Sequence, residues 1–442
     1  MQAANSDLQE SDIESAVAKA RQRFITANPA SQDRQRQATA SMPGGNTRAV
    51  LWYSPFPLTL VSGEGCRVTD LDGHEYVDLV SEYGAGFYGH SNPGIGAALN
   101  EAIGNGLLLG APNQYEARYA EALCSRFPAL ESVRFCNSGT EANIMALSTA
   151  RAVTGRDKIL VFSEGYHGGV LTFAHGGSRL NLPFPYIFAD YNDLAGTEAL
   201  IRENADELAA VIVEPMMGGG GCIPASHEFL SMLRRLTLDS GVVLIFDEVI
   251  TSRLAYSGLH GEHGINPDLL TLGKYLGGGA SFGCFGGRKT LMERFDPTSA
   301  NAFSHGGTFN NNVLSMTAGL CGFTEVLTPA ESRRINALGD HLRESLNQIL
   351  CGYRVGATVL GRGSVMNLHF IEGPIETPAQ LHKADSRLLD LWHLEMLHRG
   401  QYVSARGMLA LSLPFGEDEA NAFLAAFSGF LDSYPGLFPP RV

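Results

Sequence analysis

Short apolar segments alternate with helical segments from about residue 115 to residue 290, and this alternation constrains the fold more than any other feature of the chain. The apolar segments are near-continuous runs rich in Val, Ile and Leu. A strand of this kind must be covered on both faces, which is typical of a parallel sheet between helices. We therefore predict an α/β core whose strands include KILVF (158–162), PYIFAD (185–190), LAAVIVEP (208–215) and GVVLIFDEV (241–249).

The two ends of the chain have a different pattern. Residues 11–40 predict a polar, amphipathic helical arm, and residues 58–80 alternate apolar and polar residues around an Asp-Gly turn, which favours a short hairpin. After about residue 330 the pattern predicts helix, strand, helix, strand and helix. We predict an N-terminal arm with part of a small domain (1–75), a large domain (76–330) and a C-terminal small domain (331–442).

Composition excludes several classes of protein. The net charge of −14 argues against a nucleic-acid-binding surface, which needs clustered lysine and arginine. The seven cysteines are scattered singly and predict reduced thiols, not a disulfide framework or a zinc site. The N-terminal residues lack the pattern of a signal peptide, and no apolar stretch approaches the roughly 18 residues that span a membrane. We therefore expect a cytoplasmic enzyme with no nucleic-acid or membrane partner.

One lysine stands in an unusual place. The chain has only five lysines against 27 arginines, and four of these lysines lie in segments that predict exposure to solvent. Lys274 instead follows the apolar run LLTLG and precedes three glycines, in TLGKYLGGG (271–279). Burying an unpaired ammonium group is expensive, so a lysine in this context indicates a function.

Polar residues follow two of the predicted strands. Asp247 and Glu248 end GVVLIFDEV, where a carboxylate needs a cationic partner; a helix cap or a structural ion pair is an equally good interpretation of this stretch. Ser138, Gly139 and Thr140 follow a strand at 133–135 and begin a helix, which favours a phosphate site. The alternative there is a plain capping box with Glu141.

The remaining motifs are weaker. Tyr166 lies in the loop FSEGYHGGV (162–170), where it could contact a flat ligand, although this stretch alone favours core packing. The one Gly-Lys pair does not fit a phosphate-binding Walker A loop, and no G-x-G-x-x-G opens a helix. The sequence HGEH (260–263) is not a metal-binding H-E-x-x-H motif and predicts a solvated loop.

A phosphate cradle, an aromatic loop, a strand-end carboxylate and an isolated lysine fit one cofactor, pyridoxal phosphate. The strings NSGTEAN, GYHGG, VEP, FDEV, GKYLGGG and GGTFNNN, in this order, resemble the class III aminotransferases of fold type I. The resemblance starts at MPGGNTRAV and covers nearly the whole chain. It implies a mainly parallel, seven-stranded sheet with a smaller α+β domain. Within the class the chain is similar to the glutamate-1-semialdehyde aminomutase branch, and most of all to aromatic β-amino acid (β-phenylalanine) aminotransferases.

The resemblance also implies roles for individual residues. Lys274 forms a Schiff base with the cofactor and then moves the substrate proton, while Asp247 pairs with the pyridine nitrogen. The other implied cofactor contacts are Ser138, Gly139 and Thr140 at the phosphate, Tyr166 and Val249 on the two ring faces, Glu214 on the side of the 3-hydroxyl group, and Thr308 at the phosphate of a neighbouring subunit. The last contact implies a homodimer with shared active sites.

Two arginines bear on the substrate. The resemblance implies that Arg48 and Arg406 bind carboxylates, one of the β-amino acid and one of the α-keto acid; solvated surface arginines are the alternative. Tyr83 and Phe87 could form a side-chain pocket, with core packing as the alternative. Met217 replaces a glutamine found in such relatives, which removes a polar contact near the cofactor.

We therefore predict a pyridoxal-phosphate-dependent transaminase with a ping-pong mechanism. The amino donor is an aromatic β-amino acid, and the acceptor is an α-keto acid such as 2-oxoglutarate or pyruvate. The alternatives are a glutamate-1-semialdehyde 2,1-aminomutase, an amine:pyruvate transaminase and a non-catalytic homologue that binds the cofactor.

Overall fold

A computed structural model describes the backbone of residues 2–441 and the side chains of residues 12–441. The strands are β1 (Leu60–Glu64), β2 (Arg67–Asp70), β3 (Glu75–Asp78), β4 (Ser132–Cys136), β5 (Lys158–Phe162), β6 (Tyr186–Ala189), β7 (Leu208–Val213), β8 (Met216–Met217), β9 (Ile223–Pro224), β10 (Val243–Asp247), β11 (Leu269–Gly273), β12 (Gly283–Gly287), β13 (Thr358–Arg362), β14 (Val365–His369), β15 (Gln401–Tyr402) and β16 (Met408–Ala410).

Helices precede, separate and follow these strands. They are α1 (Gln2–Ala27), α2 (Pro29–Ala38), α3 (Pro93–Gly104), α4 (Gln114–Arg126), α5 (Gly139–Thr154), α6 (Leu194–Glu203), α7 (His227–Ser240), α8 (Gly258–His263), α9 (Lys289–Met292), α10 (Val313–Cys321), α11 (Pro329–Gly352), α12 (Ser386–His398) and α13 (Glu417–Asp432). The predicted helical arm at 11–40 is therefore two helices, because Pro29 begins a new helix after the turn at Asn28.

The central sheet has seven strands in the order β4-β12-β11-β10-β7-β5-β6. Its strands run parallel except β12, which pairs antiparallel with β4 and β11. Every residue of β7, β10 and β11 is buried, as expected for strands covered on both faces. The predicted α/β fold with a mainly parallel sheet is confirmed, and the four segments used to predict it are β5, β6, β7 and β10.

A smaller sheet joins the two ends of the chain. Strands β1, β2 and β3 form an antiparallel meander, with the predicted Asp-Gly turn between β2 and β3. Strand β15 adds parallel to β3, so that Gln401 lies opposite Val77. Strands β13, β14 and β16 form a separate antiparallel sheet. The division at residues 75 and 330 stays a prediction, and its outer limits, residues 1 and 442, lie outside the described residues.

The ends of three central strands meet at one edge of the sheet. Strands β10 and β11 are in register, with Asp247 opposite Thr271, and β11 is followed at once by Lys274. Helix α5 begins directly after β4 and packs against β10, β11 and β12. The carboxyl ends of parallel strands are where ligands bind in open α/β sheets, so this edge is the candidate site.

Among the described residues, no single helix is long and apolar enough to cross a membrane. One pair of helical segments, Val313–Val326 and Pro329–Gly352, meets the length and composition requirement together, but the two are bent by 82°. Helix α10, which forms most of the first segment, is almost entirely buried inside the protein.

One of the glycines after Lys274, Gly278, is required by a close backbone contact. Gly278 has a φ of +61°, and a Cβ there would lie 2.4 Å from the backbone carbon and oxygen of Ala318. Gly279 also has a positive φ, +96°, but a Cβ there would meet nothing within 4 Å. The turn after the lysine therefore packs directly against helix α10 through Gly278.

Replacing Gly278 with Ala should destabilise the protein by about 2–4 kcal/mol more than replacing Gly279 with Ala. Both substitutions place alanine at a positive φ, but only the one at Gly278 adds a close contact with the backbone of Ala318. The measurement is the urea midpoint of each variant. Equal midpoints for the two variants would contradict the close packing of Gly278 on α10.

Candidate active site

Lys274 begins a 3₁₀ turn at the carboxyl end of β11 and itself has a φ of +52°. Such a conformation is costly for a residue with a side chain and is found mainly where function demands it. Burial lowers the pKa of the Lys274 ammonium, and the nearby charge of Arg48 lowers it further, against the opposing effect of Asp247 and Glu214. A lysine with a lowered pKa can serve as a base.

Asp247 is held by a network of hydrogen bonds. Its Oδ2 accepts a hydrogen bond of 2.8 Å from Asn143 Nδ2 and lies 2.8 Å from His167 Nδ1, while Oδ1 accepts from the N–H of Val249. The hydroxyl of Thr271 in turn donates to Asn143 Oδ1 at 2.6 Å. Burial opposes protonation of His167, but the hydrogen bond and charge of Asp247 raise its pKa overall. The carboxylate is thereby fixed in one orientation with its charge stabilised.

The adjacent Glu248 has a structural role. It is fully buried, and it accepts hydrogen bonds from the N–H groups of Leu259 and His260 at 2.8 and 2.7 Å. Its Oε1 also lies 2.7 Å from His260 Nδ1. The cap interpretation of this strand end is therefore correct for Glu248. The prediction of a solvated loop at 260–263 is wrong, because this carboxylate holds a buried His260 at the start of helix α8.

The start of α5 forms a compact cradle. Ser138 is the N-cap, and its hydroxyl accepts a hydrogen bond of 3.1 Å from the N–H of Glu141, so the predicted cap is present. The cap leaves the first N–H groups of the helix without intrahelical partners, as at any helix start. A Cβ at Gly139 would lie 2.9 Å from both γ carbons of Val249, so only glycine fits at this close approach. Thr140 Oγ1 accepts from the N–H of Gly169 at 3.3 Å.

The loop after β5 brings an aromatic ring to the same edge. Tyr166 is 46% exposed, so the core-packing interpretation of this residue is wrong. Its N–H donates to Glu214 Oε1 at 3.1 Å, and the N–H of Gly218 donates to Glu214 Oε2 at 2.9 Å. Burial raises the pKa of Glu214 to about 7, with a lowering contribution from His167 and a raising one from Asp247.

Arg48 is close enough to Lys274 to lower the pKa of its ammonium group, but it lies outside the core. Its guanidinium pairs with the carboxylate of Glu82 and lies 5.9 Å from the centre of the Tyr83 ring. Both partners of the pair are about half exposed, at 43% for Arg48 and 53% for Glu82. Ser81, Glu82 and Tyr83 have consecutive positive φ values of 45°, 49° and 53°, a strained backbone that aims these side chains.

The hydroxyl of Tyr83 connects the segments of the two arginines. It donates a hydrogen bond of 3.1 Å to the carbonyl of Val50, two residues after Arg48. It also lies 3.5 Å from Ser404 Oγ, which accepts a hydrogen bond from the N–H of Arg406. The structure therefore brings Arg48, Tyr83 and the segment of Arg406 together, with Arg406 itself exposed.

Two predicted residues are placed elsewhere. Phe87 is fully buried, with its ring 5.3 Å from that of Tyr275 and the Arg253 guanidinium 3.8 Å from its centre, which favours the core-packing alternative. Thr308 is exposed in the segment before α10. Its predicted contact is with a neighbouring subunit and stays a prediction.

Three residues that contact Asp247, directly or through a neighbour, or pair with Arg48 were not predicted from the sequence. Asn143 lies within NSGTEAN and reaches Asp247 because it is on the buried face of α5. Thr271 faces Asn143 because it is the register partner of Asp247. Glu82 had no sequence signal beyond its position next to Tyr83.

The cradle, the fixed carboxylate and the lysine define the class of proteins that bind pyridoxal phosphate in fold type I. The residues fit that group: the start of α5 offers backbone N–H groups that favour a phosphate, and Asp247 offers a fixed negative charge for a protonated pyridine nitrogen. Residues 50–389 match the family model of class-III aminotransferases, and the chain belongs to that family. The chain is a transaminase, and its cofactor is pyridoxal phosphate.

Curated relatives cover almost the whole chain. The β-phenylalanine transaminase of Variovorax paradoxus is 46% identical over 428 residues, which are 97% of this chain and 98% of that protein. A crystal structure of the β-phenylalanine aminotransferase from the same organism matches with a TM-score of 0.96 at 45% identity, covering 97% of this chain and 100% of that one. The glutamate-1-semialdehyde 2,1-aminomutase of Methanocella arvoryzae is 35% identical over 382 residues, 83% of this chain and 89% of that protein.

The raised pKa of Glu214 predicts a pH dependence of stability in the cofactor-free protein. A carboxyl group with a raised pKa in the folded state contributes stability below its unfolded value of 4.5 and loses it as the pH rises through about 7. Glu214→Gln removes this dependence. Wild type should therefore lose stability between pH 5 and pH 8 relative to E214Q. The difference in urea midpoint, E214Q minus wild type, should be larger at pH 8 than at pH 5. A constant difference between the two proteins over this range would contradict the buried, proton-binding environment of Glu214.

Proposed function

We propose that the chain is an aminotransferase that takes the amino group of an aromatic β-amino acid and passes it to an α-keto acid. The observation that carries the proposal is the position of Arg48. It is close enough to Lys274 to lower the pKa of that ammonium group, and among the described residues it pairs with a half-exposed glutamate, Glu82. A carboxylate-binding cation near the amine suits a donor with both an amino and a carboxylate group. The relative from V. paradoxus supports the same donor class.

The proton transfer is assigned to Lys274. Pyridoxal phosphate supplies an electron sink for the carbon atom that loses its proton. The Nζ of Lys274 takes this proton and returns it at a second position, and its lowered pKa keeps a larger fraction of the amine neutral than in a solvated lysine. Asn143 and His167 fix the carboxylate of Asp247 in one position, so that this negative charge does not have to move during the reaction.

Other residues orient the cofactor. We assign the phosphate to Ser138, Gly139 and Thr140 at the start of α5, where free N–H groups favour an anion. Tyr166 and Val249 are assigned to the two faces of the ring, because Tyr166 is exposed at the edge and Val249 packs against Gly139. Glu214, with its two backbone N–H partners, is assigned to the side of the 3-hydroxyl group.

Arg48 and Arg406 divide the two substrates between them. Arg48 binds the carboxylate of the amino donor, and Arg406 binds the carboxylate of the acceptor, which is 2-oxoglutarate or pyruvate. Tyr83 fixes the spacing of the two arginines through its hydroxyl contacts with Val50 and Ser404. We also propose a homodimer in which Thr308 reaches the phosphate bound by the partner subunit. A cytoplasmic location stays a prediction.

A glutamate-1-semialdehyde 2,1-aminomutase is the second candidate, favoured by the relative at 35% identity. Such an enzyme needs no keto acid, because the amino group returns to the same substrate skeleton. An amine:pyruvate transaminase needs no carboxylate in its donor. A non-catalytic homologue would bind the cofactor and leave amino donors unchanged.

The wild-type protein should turn over 3-amino-3-phenylpropanoate repeatedly only when 2-oxoglutarate or pyruvate is present. Arg48→Ala should lower kcat/KM for this donor by on the order of 100-fold, since it removes a charge-assisted, bidentate contact. The same variant should leave turnover of 1-phenylethylamine, which lacks the carboxylate, within about twofold of wild type. The exposed Arg333→Ala is the control for loss of one positive charge.

The outcomes separate the candidates. Turnover of glutamate-1-semialdehyde without keto acid, and none of the β-amino acid, would establish the aminomutase. If Arg48→Ala lowers kcat/KM equally for both donors, Arg48 supports the fold or the cofactor and does not bind the donor carboxylate.

Glu82 competes with the donor for Arg48, because the two form an ion pair in the ligand-free chain. Glu82→Gln should therefore lower KM for 3-amino-3-phenylpropanoate by about threefold to tenfold, which corresponds to about 1 kcal/mol for a half-exposed pair. KM for 1-phenylethylamine should not change. A rise in KM for the β-amino acid would instead mean that Glu82 is needed to hold Arg48 in place.

A further inference from the structure

Three side chains from separate segments converge outside the site described above. Glu164 follows β5, His175 lies in the 3₁₀ turn Ala174–Gly176, and His382 lies in the 3₁₀ segment Pro378–Lys383. Glu164 Oε1 is 3.3 Å from His382 Nε2 and 3.8 Å from His175 Nδ1, and one donor atom of each residue lies within 4.8 Å of the others. None of the three has a part in the proposed transamination.

We propose that Glu164, His175 and His382 form a binding site for a divalent transition metal ion, of which Zn²⁺ is the best fit. Ligands of a tetrahedral zinc ion at about 2.0–2.1 Å stand roughly 3.3 Å apart. The separation of Glu164 Oε1 from His382 Nε2 equals this value, and its separation from His175 Nδ1, 3.8 Å, is longer, so the exposed His175 ring must move closer when the ion binds. Two imidazoles and one carboxylate supply three ligands. The fourth position faces solvent and takes a water molecule.

The chemistry of the surroundings favours a cation. Glu164 and His382 line a cleft of about 240 Å³ together with Asp190 and Asp193, which add negative charge. Imidazole ligands favour zinc, cobalt and nickel over magnesium and calcium, which prefer oxygen ligands. The backbone N–H of His175 donates to Glu164 Oε1 at 3.0 Å, so the carboxylate is positioned before a metal binds.

A metal here would join two parts of the chain. Glu164 and His175 belong to the loop between β5 and β6 that also carries Tyr166, while His382 comes from the segment before α12. Leu381, next to His382, packs over Gly221, where a Cβ would lie 2.5 Å from Leu381 Cδ1. A metal bound by these three residues would therefore cross-link the loop that carries Tyr166 to the C-terminal part of the chain. This role does not depend on which substrate the enzyme uses.

The test measures zinc bound to the holoenzyme after removal of any histidine tag and dialysis against a chelator. Equilibrium dialysis with Zn²⁺ should give one tightly bound ion per chain in wild type. His175→Ala and His382→Ala should each weaken this binding at least tenfold. The control is His263→Ala, which alters a second histidine pair whose Nδ1 atoms, in His227 and His263, are 3.5 Å apart. This variant should bind zinc as wild type does.

Thermal unfolding provides a second readout, because a ligand that binds only the folded state raises Tm. Zn²⁺ should raise the Tm of wild type and of His263→Ala, but not that of the double variant His175→Ala/His382→Ala, while Mg²⁺ should have no effect on any of them. Zinc binding that is unchanged in the double variant would overturn the proposal, as would wild-type protein that binds no zinc. In either case the three side chains would form only an ion-pair cluster.

Discussion

The buried negative charge of Asp247 is the constraint around which the candidate site is built. A carboxylate that is only 4% exposed costs several kcal/mol unless donors surround it, and here a helix, a loop and its own strand end supply them. Asn143 can reach it only if α5 packs against β10, and Thr271 can orient Asn143 only if β11 is in register with β10. The charge therefore couples the order of the strands to the chemistry at their ends.

The pair Asp247-Glu248 shows how one strand end serves both the site and the fold. Successive side chains of an extended chain point to opposite sides. Asp247 thus faces the edge with Lys274, whereas Glu248 faces the interior and holds the start of α8 through three contacts. The same two carboxylates could be interpreted either way from the sequence. The structural interpretation is correct for Glu248, and the contact of Asp247 with the cofactor stays a prediction.

The sequence predicted the elements whose signal is local. The buried parallel strands, the helix start at Ser138 and the unusual position of Lys274 could be predicted because each depends on a short run of residues. The exposure of two residues was predicted wrongly: Tyr166 was expected to pack in the core and is exposed, whereas His260 was expected to be solvated and is buried. Their exposure depends on what packs over them, and a nine-residue window does not contain that information. The contact of Asn143 with Asp247 spans 104 positions and follows from the register and packing of whole elements.

The parallel pairing of β15 with β3 has a consequence for synthesis of the chain. The paired residues Val77 and Gln401 are separated by 401 − 77 = 324 positions, and Arg406 lies four positions after Tyr402, the last residue of β15. The phosphate cradle and the lysine lie between residues 138 and 274, so a nascent chain can complete them long before the ribosome reaches β15. The residues between 138 and 274 can therefore come together at an earlier point of synthesis than Tyr83 and Arg406, which belong to segments joined through the pairing of β3 with β15.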